Sequence, residues 1–216
     1  MRCYARWKYD NKENIFFRDQ TILQFGDSWD LVANLVLLNP GSATPLNEID
    51  QSDLLRSKSL PFFVEPKADE KYVEFSIDRL MNDVLSLFSK HFDGGTIQLF
   101  NLFNLKNQHS AKAIQQSQEH YRHKRMFASK SEIRYSDAPV IIASGCNSKR
   151  NPRLSAELIR HISLASSSQL YAIKQTGQRL FSIKRETPDE NGFINSYHPS
   201  YTFKYGNTTD IGDLKG

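Results

Sequence analysis

Two polar residues of this chain, each followed directly by proline, have side chains that could act in catalysis or ligand binding. Asn39 is followed by Pro40 and Gly41, and His198 stands before another proline. Proline restricts the residue before it and glycine adopts backbone angles closed to other residues, so we expect each polar side chain to hold one orientation. An asparagine amide can pair with the polar edge of a base, and a histidine can donate a hydrogen bond to a developing oxyanion.

Further polar residues follow other apolar runs of the sequence. Asn101 comes directly after residues 96–100, and Ser144 and Asn147 come after residues 140–143. If these runs are neighbouring parallel strands, their polar ends meet at one edge of a sheet. Each residue also has a simpler interpretation: Asn39 can belong to a plain turn, Asn101 can cap the next element, and His198 can be a structural hydrogen-bonding group.

The elements that must position these residues read as buried strands and amphipathic helices. Residues 35–38 and 140–143 are apolar throughout, as in strands covered on both faces, and residues 96–100 are predicted to be a further strand. Residues 77–88 and 154–164 have apolar side chains at helical spacing. Strands that alternate with helices are typical of a parallel sheet. We therefore predict an α/β three-layer sandwich, a central mostly parallel sheet with helices on both faces. In such sheets, ligands bind outside the carboxyl ends of the strands.

One domain is predicted over residues 1–216. Residues 15–17 and 21–25 have the character of two short strands, which predicts a peripheral hairpin within residues 1–30. The polar stretch 42–70 is interrupted by prolines and is predicted to be a long loop, and residues 204–216 are predicted to be a flexible tail.

Composition restricts the class of protein. With 39% apolar and 24% charged residues the chain has the composition of a soluble protein, and it contains no apolar run long enough to cross a membrane. The N-terminus lacks the apolar core of a signal peptide, which favours a cytoplasmic location. Two cysteines cannot supply a four-ligand zinc or iron–sulfur site, so neither a metal nor another cofactor is expected. The net charge of +4 is compatible with a polyanionic partner such as DNA.

The order of these motifs resembles two known families. Residues 37–43, 101–105, 140–145 and 198–201 resemble the motifs of domain-of-unknown-function family 1643, which occurs in bacteria and phages. The same order resembles the uracil-DNA glycosylase superfamily, most closely its mismatch-specific branch. The resemblance runs from about Leu35 to Phe203, and it implies the glycosylase-like form of the sandwich fold.

The resemblance also implies roles for residues of the four motifs. Asn39 would position the attacking water, Asn101 would read the edge of a base flipped out of DNA, and His198 would lie over the base carbonyl. Tyr201 or Phe203 would be the wedge that replaces the base in the stack. The other residues implied at the substrate are Pro40, Gly41, Ser144, Asn147 and Ser200, with Phe75 or Phe62 as the floor of the pocket.

Three hypotheses for function remain open from the sequence. The first is a glycosylase-like protein that binds a flipped nucleobase and hydrolyses an N-glycosidic bond in DNA. No acidic residue stands beside Asn39, so this hypothesis relies on water positioning and charge stabilisation more than on a strong general base. The second is a non-catalytic module that binds a nucleotide or nucleic acid. The third is an accessory protein in which the same asparagines and histidine only cap strands.

Overall fold

A computed structural model of the protein describes residues 1–211 and residue 214, and for residues 207–210 it describes the backbone alone. Within these residues the chain forms nine strands and five α-helices. The strands are β1 (Arg2–Asp10), β2 (Ile15–Phe25), β3 (Leu31–Leu37), β4 (Lys71–Phe75), β5 (Gly95–Asn101), β6 (Val140–Ile142), β7 (Leu170–Gly177), β8 (Leu180–Arg185) and β9 (Asn207–Asp210). The helices are α1 (Ser52–Ser57), α2 (Arg79–Phe88), α3 (Ser110–Glu119), α4 (Pro152–Leu164) and α5 (Pro199–Tyr205).

All the described strands join one mixed sheet, in the order β4-β1-β2-β5-β3-β6-β7-β8-β9. The four central strands β5, β3, β6 and β7 are parallel to one another. On one flank β2, β1 and β4 pair antiparallel, and on the other flank β8 pairs antiparallel with β7. The carboxyl ends of the four parallel strands therefore lie at one edge of the sheet, as the polar motifs require.

The predicted three-layer sandwich around a mostly parallel sheet is wrong. Most of the paired residues lie in antiparallel ladders, and only five α-helices accompany the nine strands of the described chain. The reason is that apolar runs report the burial of a strand but not the direction of its neighbour. Two long strands at the N-terminus and the turn between β7 and β8 add antiparallel ladders on both sides of the parallel block.

The central strands are buried on both faces, as predicted from residues 35–38. Leu35 and Leu37 belong to an apolar cluster that includes residues of α2, whereas Val36 and Leu38 belong to a second cluster with residues of α4. Because successive side chains of a strand point to opposite faces, the two clusters cover opposite sides of the sheet. This burial holds β3 firmly and directs its end, at Asn39, toward the edge.

The two ends of the chain differ from the predicted description. The N-terminal hairpin lies inside the sheet, with β1 paired to β4 and β2 paired to β5, and Cys3, Ala5 and Leu23 are fully buried. The predicted loop 42–70 contains the short helix α1. Of the predicted tail, residues 204 and 205 end α5 and residues 207–210 form β9. Most of the rest of the tail lies outside the described residues.

Candidate functional site

Two neighbouring cavities open at the carboxyl edge of the parallel strands. The large cavity, of about 700 Å³, is enclosed by the loop after β6, by residues 193–198 and by the first residues of α5. The small cavity, of about 270 Å³, is lined by residues after β3, by the start of α2 and by the start of α5. His198, Ser200 and Ser110 line both cavities, so the start of α5 is the wall that they share.

His198 is fixed in one orientation at the start of α5. Its Nδ1 accepts the backbone N–H of Ser200 at 3.2 Å and lies 2.6 Å from the Ser200 hydroxyl. The segment before it is held to β7, because the backbone N–H of Tyr197 donates to the Ile173 carbonyl at 3.1 Å. Burial lowers the pKa of His198 from 6.5 to about 4. At neutral pH the ring is therefore uncharged, and with Nδ1 acting as acceptor it carries its proton on Nε2, which can donate to a ligand.

Gly145, in the loop after β6, makes room for His198. Its φ is +73°, in the left-handed region that favours glycine, and a Cβ built there would lie 2.9 Å from the Cβ of His198. The loop after one central strand thus packs directly against the residue that begins α5. This contact sets the distance between the wall of the large cavity and the imidazole.

Replacement of Gly145 by alanine is expected to lower the free energy of unfolding by about 1–3 kcal/mol, because of backbone strain and the clash with His198. Gly192→Ala is a matched control, since Gly192 has a φ of +76° but a Cβ there would meet only Ile159 at 3.5 Å. Urea unfolding measures both stabilities, and NMR follows the His198 ring. A His198 resonance shifted in Gly145→Ala but not in Gly192→Ala is expected, and equal behaviour of the two variants would contradict it.

Asn39 lines the small cavity and is half-buried. Its side-chain NH₂ donates to the carbonyls of Pro40 and Asn107, both at 2.8 Å. Both amide hydrogens are used in this way, and no residue in the described part of the chain donates to Oδ1. The only group that Asn39 can offer to a ligand or water is therefore a hydrogen-bond acceptor.

Asp78 is the residue of this site that sequence reasoning missed. It lines the small cavity together with Asn39 and His198, so an acidic group does lie at this site, contrary to what the sequence neighbourhood of Asn39 indicated. Its Oδ1 caps α2 by accepting the backbone N–H of Met81 at 3.0 Å. Its Oδ2 lies so close to Gly41 that a Cβ there would approach it to 2.7 Å. The signal available in the sequence was an aspartate just before an amphipathic helix, which by itself indicates only a cap.

Five further residues predicted at the substrate line the cavities. Ser144 and Asn147 line the large cavity, with Ser144 buried and Asn147 exposed. Ser200 lines both cavities, and Tyr201 lines the large one. Gly41 completes the small cavity, while Pro40 beside it is buried and contributes its carbonyl to Asn39.

Asn101 and Phe75 lie outside both cavities. Asn101 is the last residue of β5 and is 5% exposed. Phe75 is a core residue of β4, with the Trp7 ring at its edge and the Arg18 guanidinium 5.5 Å from its ring centroid. The expectation that Asn101 reads a base and that Phe75 is the floor of the base pocket therefore has no support from either cavity. The sequence placed Asn101 correctly at the end of a strand, but it did not predict β4, the strand that carries Phe75.

The large cavity also contains cations and aromatic rings that the motifs did not predict. Lys149 and Lys174 line it, as do Phe193 and Tyr197. Lys149 lies over the Phe193 ring at 5.1 Å, and Lys174 forms an ion pair with Glu186. None of the described residues that line this cavity is acidic. Its walls suit a ligand with both a flat apolar part and negative charge.

Among the described residues, no group of three or more His, Cys, Asp and Glu side chains is arranged to hold a metal ion. In the same part of the chain, none of the helices combines the length and apolar character needed to cross a bilayer. Comparison of the chain with models of protein families, with curated proteins and with solved structures found no match.

Proposed function

We propose that the protein binds a nucleobase of DNA in the large cavity and hydrolyses its N-glycosidic bond at the small cavity. The observation that carries the proposal is the position of His198. A neutral imidazole that can donate from Nε2 lies in the wall between an apolar, basic cavity and a polar cavity lined by Asn39 and Asp78.

The three side chains have complementary chemistry for this reaction. A water that donates hydrogen bonds to Asn39 Oδ1 and to the Asp78 carboxylate attacks C1′ of the sugar, and its proton passes to Asp78. The bond between C1′ and the base nitrogen breaks, and the electron pair leaves with the base. The negative charge that develops on a base carbonyl is stabilised by the N–H of His198.

The large cavity supports the nucleobase part of the proposal. Its volume of about 700 Å³ lies within the range of small-ligand pockets, so it can hold a flipped nucleotide. Phe193 and Tyr197 offer flat apolar surfaces to a base. Lys149 offers positive charge to the adjacent phosphates, and it has no ion pair with any residue that the structure describes.

One observation favours a second candidate function, a non-catalytic module that binds a nucleotide or nucleic acid. Asn101, which the motif order implies as the base reader, lies outside both cavities. A module of this kind needs the large cavity and its lysines but not Asn39 or Asp78. The two candidates therefore differ in whether a free base is released.

Base release from oligonucleotides tests the proposal directly. The full chain is incubated with oligonucleotides that contain uracil, a mismatch or a modified base, and the free base is detected by mass spectrometry. We expect release by the wild type and a rate about 10²- to 10³-fold lower for Asn39→Ala and His198→Ala. Exposed residues supply matched controls, Asn191→Ala and His109→Ala, which are expected to retain the rate.

Two outcomes would contradict the enzymatic proposal. One is the absence of free base from every substrate, and the other is release at the same rate by the two site variants and the wild type. Saturable binding of the same oligonucleotides without product would support the non-catalytic module instead.

A further inference from the structure

Three tyrosines form an exposed row beside the large cavity. Tyr197, Tyr201 and Tyr205 are four residues apart, the spacing that places side chains on one face of a helix, and α5 carries the last two. Their exposed fractions are 37%, 48% and 53%. The ring centroids are 5.8 Å apart for Tyr197 and Tyr201 and 5.2 Å apart for Tyr201 and Tyr205. We call these residues the tyrosine row.

Two of the three rings of the tyrosine row pack on a buried ring beneath them. The buried ring of Phe181, on β8, meets Tyr197 edge-on at 5.0 Å and Tyr201 at 6.2 Å. The Tyr197 hydroxyl donates to Gln175 at 3.2 Å. Gly206 lets the chain pass close to Phe181, since a Cβ there would lie 2.2 Å from the ring. Aromatic rings held in this way lose little conformational freedom when a ligand stacks on them.

Positive charge accompanies the tyrosine row along its length. Lys204 Nζ lies 4.7 Å from the Tyr205 ring centroid, and Lys204 and Arg179 line a side pocket together with Tyr201 and Tyr205. Neither cation forms an ion pair with a described residue, and none of the described residues lining this pocket is acidic. At the other end of the row lie the large cavity and Lys149.

Exposed rings in sequence, interleaved with unpaired cations, have the chemistry of a single-stranded nucleic acid site. Bases stack on aromatic faces whatever their sequence, and phosphates follow the cations. A duplex keeps its bases stacked on each other and offers none to the tyrosines. A protein partner of ordinary composition would leave Lys204 and Arg179 without the regular negative charge that a phosphate backbone supplies.

We propose that the tyrosine row binds single-stranded nucleic acid, with successive bases stacked on Tyr205 and Tyr201 and the next nucleotide entering the large cavity past Tyr197. This inference deepens the proposed function, because it names the strand that delivers a base to His198. It does not depend on hydrolysis, because binding along the row requires neither Asn39 nor Asp78.

Fluorescence anisotropy with a labelled twelve-nucleotide oligothymidine tests the inference on the full chain. We expect Tyr205→Ala to raise Kd about tenfold and Tyr205→Phe, which keeps the ring, to change it less than twofold. Lys204→Gln is expected to weaken binding and to reduce the salt dependence of Kd. Tyr9→Ala is the control for loss of an exposed tyrosine elsewhere, since Tyr9 is 39% exposed on β1.

The outcomes separate this inference from the proposed function. Equal affinity of the wild type and Tyr205→Ala, or binding of the matching duplex as tightly as the single strand, would overturn the inference. If Tyr205→Ala does not change the rate of base release, the proposed function is supported and the tyrosine row has no part in it. If binding depends on the Tyr205 ring but no base is released, the tyrosine row is supported as a binding site and the proposed hydrolysis is rejected. Circular dichroism and thermal unfolding confirm that each variant is folded.

Discussion

Replacing Arg6 by methionine is expected to lower the free energy of unfolding by about 3–5 kcal/mol, because it leaves buried carboxylates without their cation. Arg6, on β1, is 3% exposed. Its guanidinium contacts Asp19 at 2.7 and 2.8 Å, Glu70 at 3.0 Å and Glu132 at 2.6 Å. Arg125 remains beside Glu70 at 2.5 Å, so one carboxylate keeps a partner.

Arg56→Met is the matched control for the loss of an arginine that bridges carboxylates. Arg56 pairs with Asp53 and Glu65, but its side chain is 48% exposed, so its removal is expected to leave the free energy of unfolding nearly unchanged. Urea unfolding of both variants at pH 7 gives the comparison. Similar losses in the two variants would contradict the assignment of Arg6 as the centre of a buried network.

The same network predicts a dependence on pH. Burial alone raises the pKa of Glu132, but hydrogen bonds from Ser129 and Arg6 outweigh it and lower the pKa from 4.5 to about 2. A lowered pKa in the folded state stabilises the protein above pH 4.5, and this contribution is lost as the pH falls toward 2. Arg6→Met already lacks the part of this stabilisation that Arg6 provides. The difference in the free energy of unfolding between the wild type and the variant is therefore expected to become smaller as the pH falls from 4.5 toward 2.

The substitution Asp78→Asn is expected to lower the rate of base release by about 10²- to 10⁴-fold while α2 stays folded. Asparagine is as good a helix cap as aspartate, so its Oδ1 can still accept the Met81 N–H. The change therefore removes the charge of Asp78 without removing the cap, while Asp83, which also lines the small cavity, keeps its carboxylate. The rate of base release, measured on the oligonucleotide that the wild type cleaves best, gives the size of the effect.

Two measurements accompany the Asp78 variant. Asp27→Asn, at an exposed position, is the control for the same chemical change and is expected to retain the wild-type rate. Asp78→Asn is expected not to weaken the binding of oligothymidine, because none of the three tyrosines lines the small cavity and Lys204, which does, keeps its charge. An unchanged rate of base release in Asp78→Asn would show that Asp78 is not the general base. A loss of helicity would show that the cap had failed.

The central strands and two of the helices could be predicted from the order of the residues. The apolar runs before Asn39 and Ser144 are β3 and β6, and the helical spacing of residues 77–88 and 154–164 marks α2 and α4. The proline and glycine residues that follow Asn39, and the proline that follows His198, indicated that both residues lie at the ends of secondary-structure elements. These features are local, because they depend on residues within a few positions of each other, so the sequence carries them directly.

The partners of each element were decided by the tertiary structure alone. The central strands β5, β3 and β6 are parallel, and the mixed sheet differs from the predicted sandwich because β1, β2, β4 and β8 add antiparallel pairs on its flanks. Asp78 joins Asn39 and His198 through the approach of α2 to Gly41, and Arg6 meets carboxylates from three distant segments. Contacts between residues far apart in sequence form only when the chain has folded.

The residues at the carboxyl edge of the sheet show both what the sequence determined and what the tertiary structure determined. Their types and their positions at strand and helix ends were determined by the sequence. The fold decided which of them face a cavity: Asn39, His198 and the buried Ser144 do, whereas Asn101 does not. The tyrosine row shows the same division. The sequence contains the four-residue spacing of the three rings, but only the fold shows that Phe181 packs beneath Tyr197 and Tyr201 and that all three rings stay exposed.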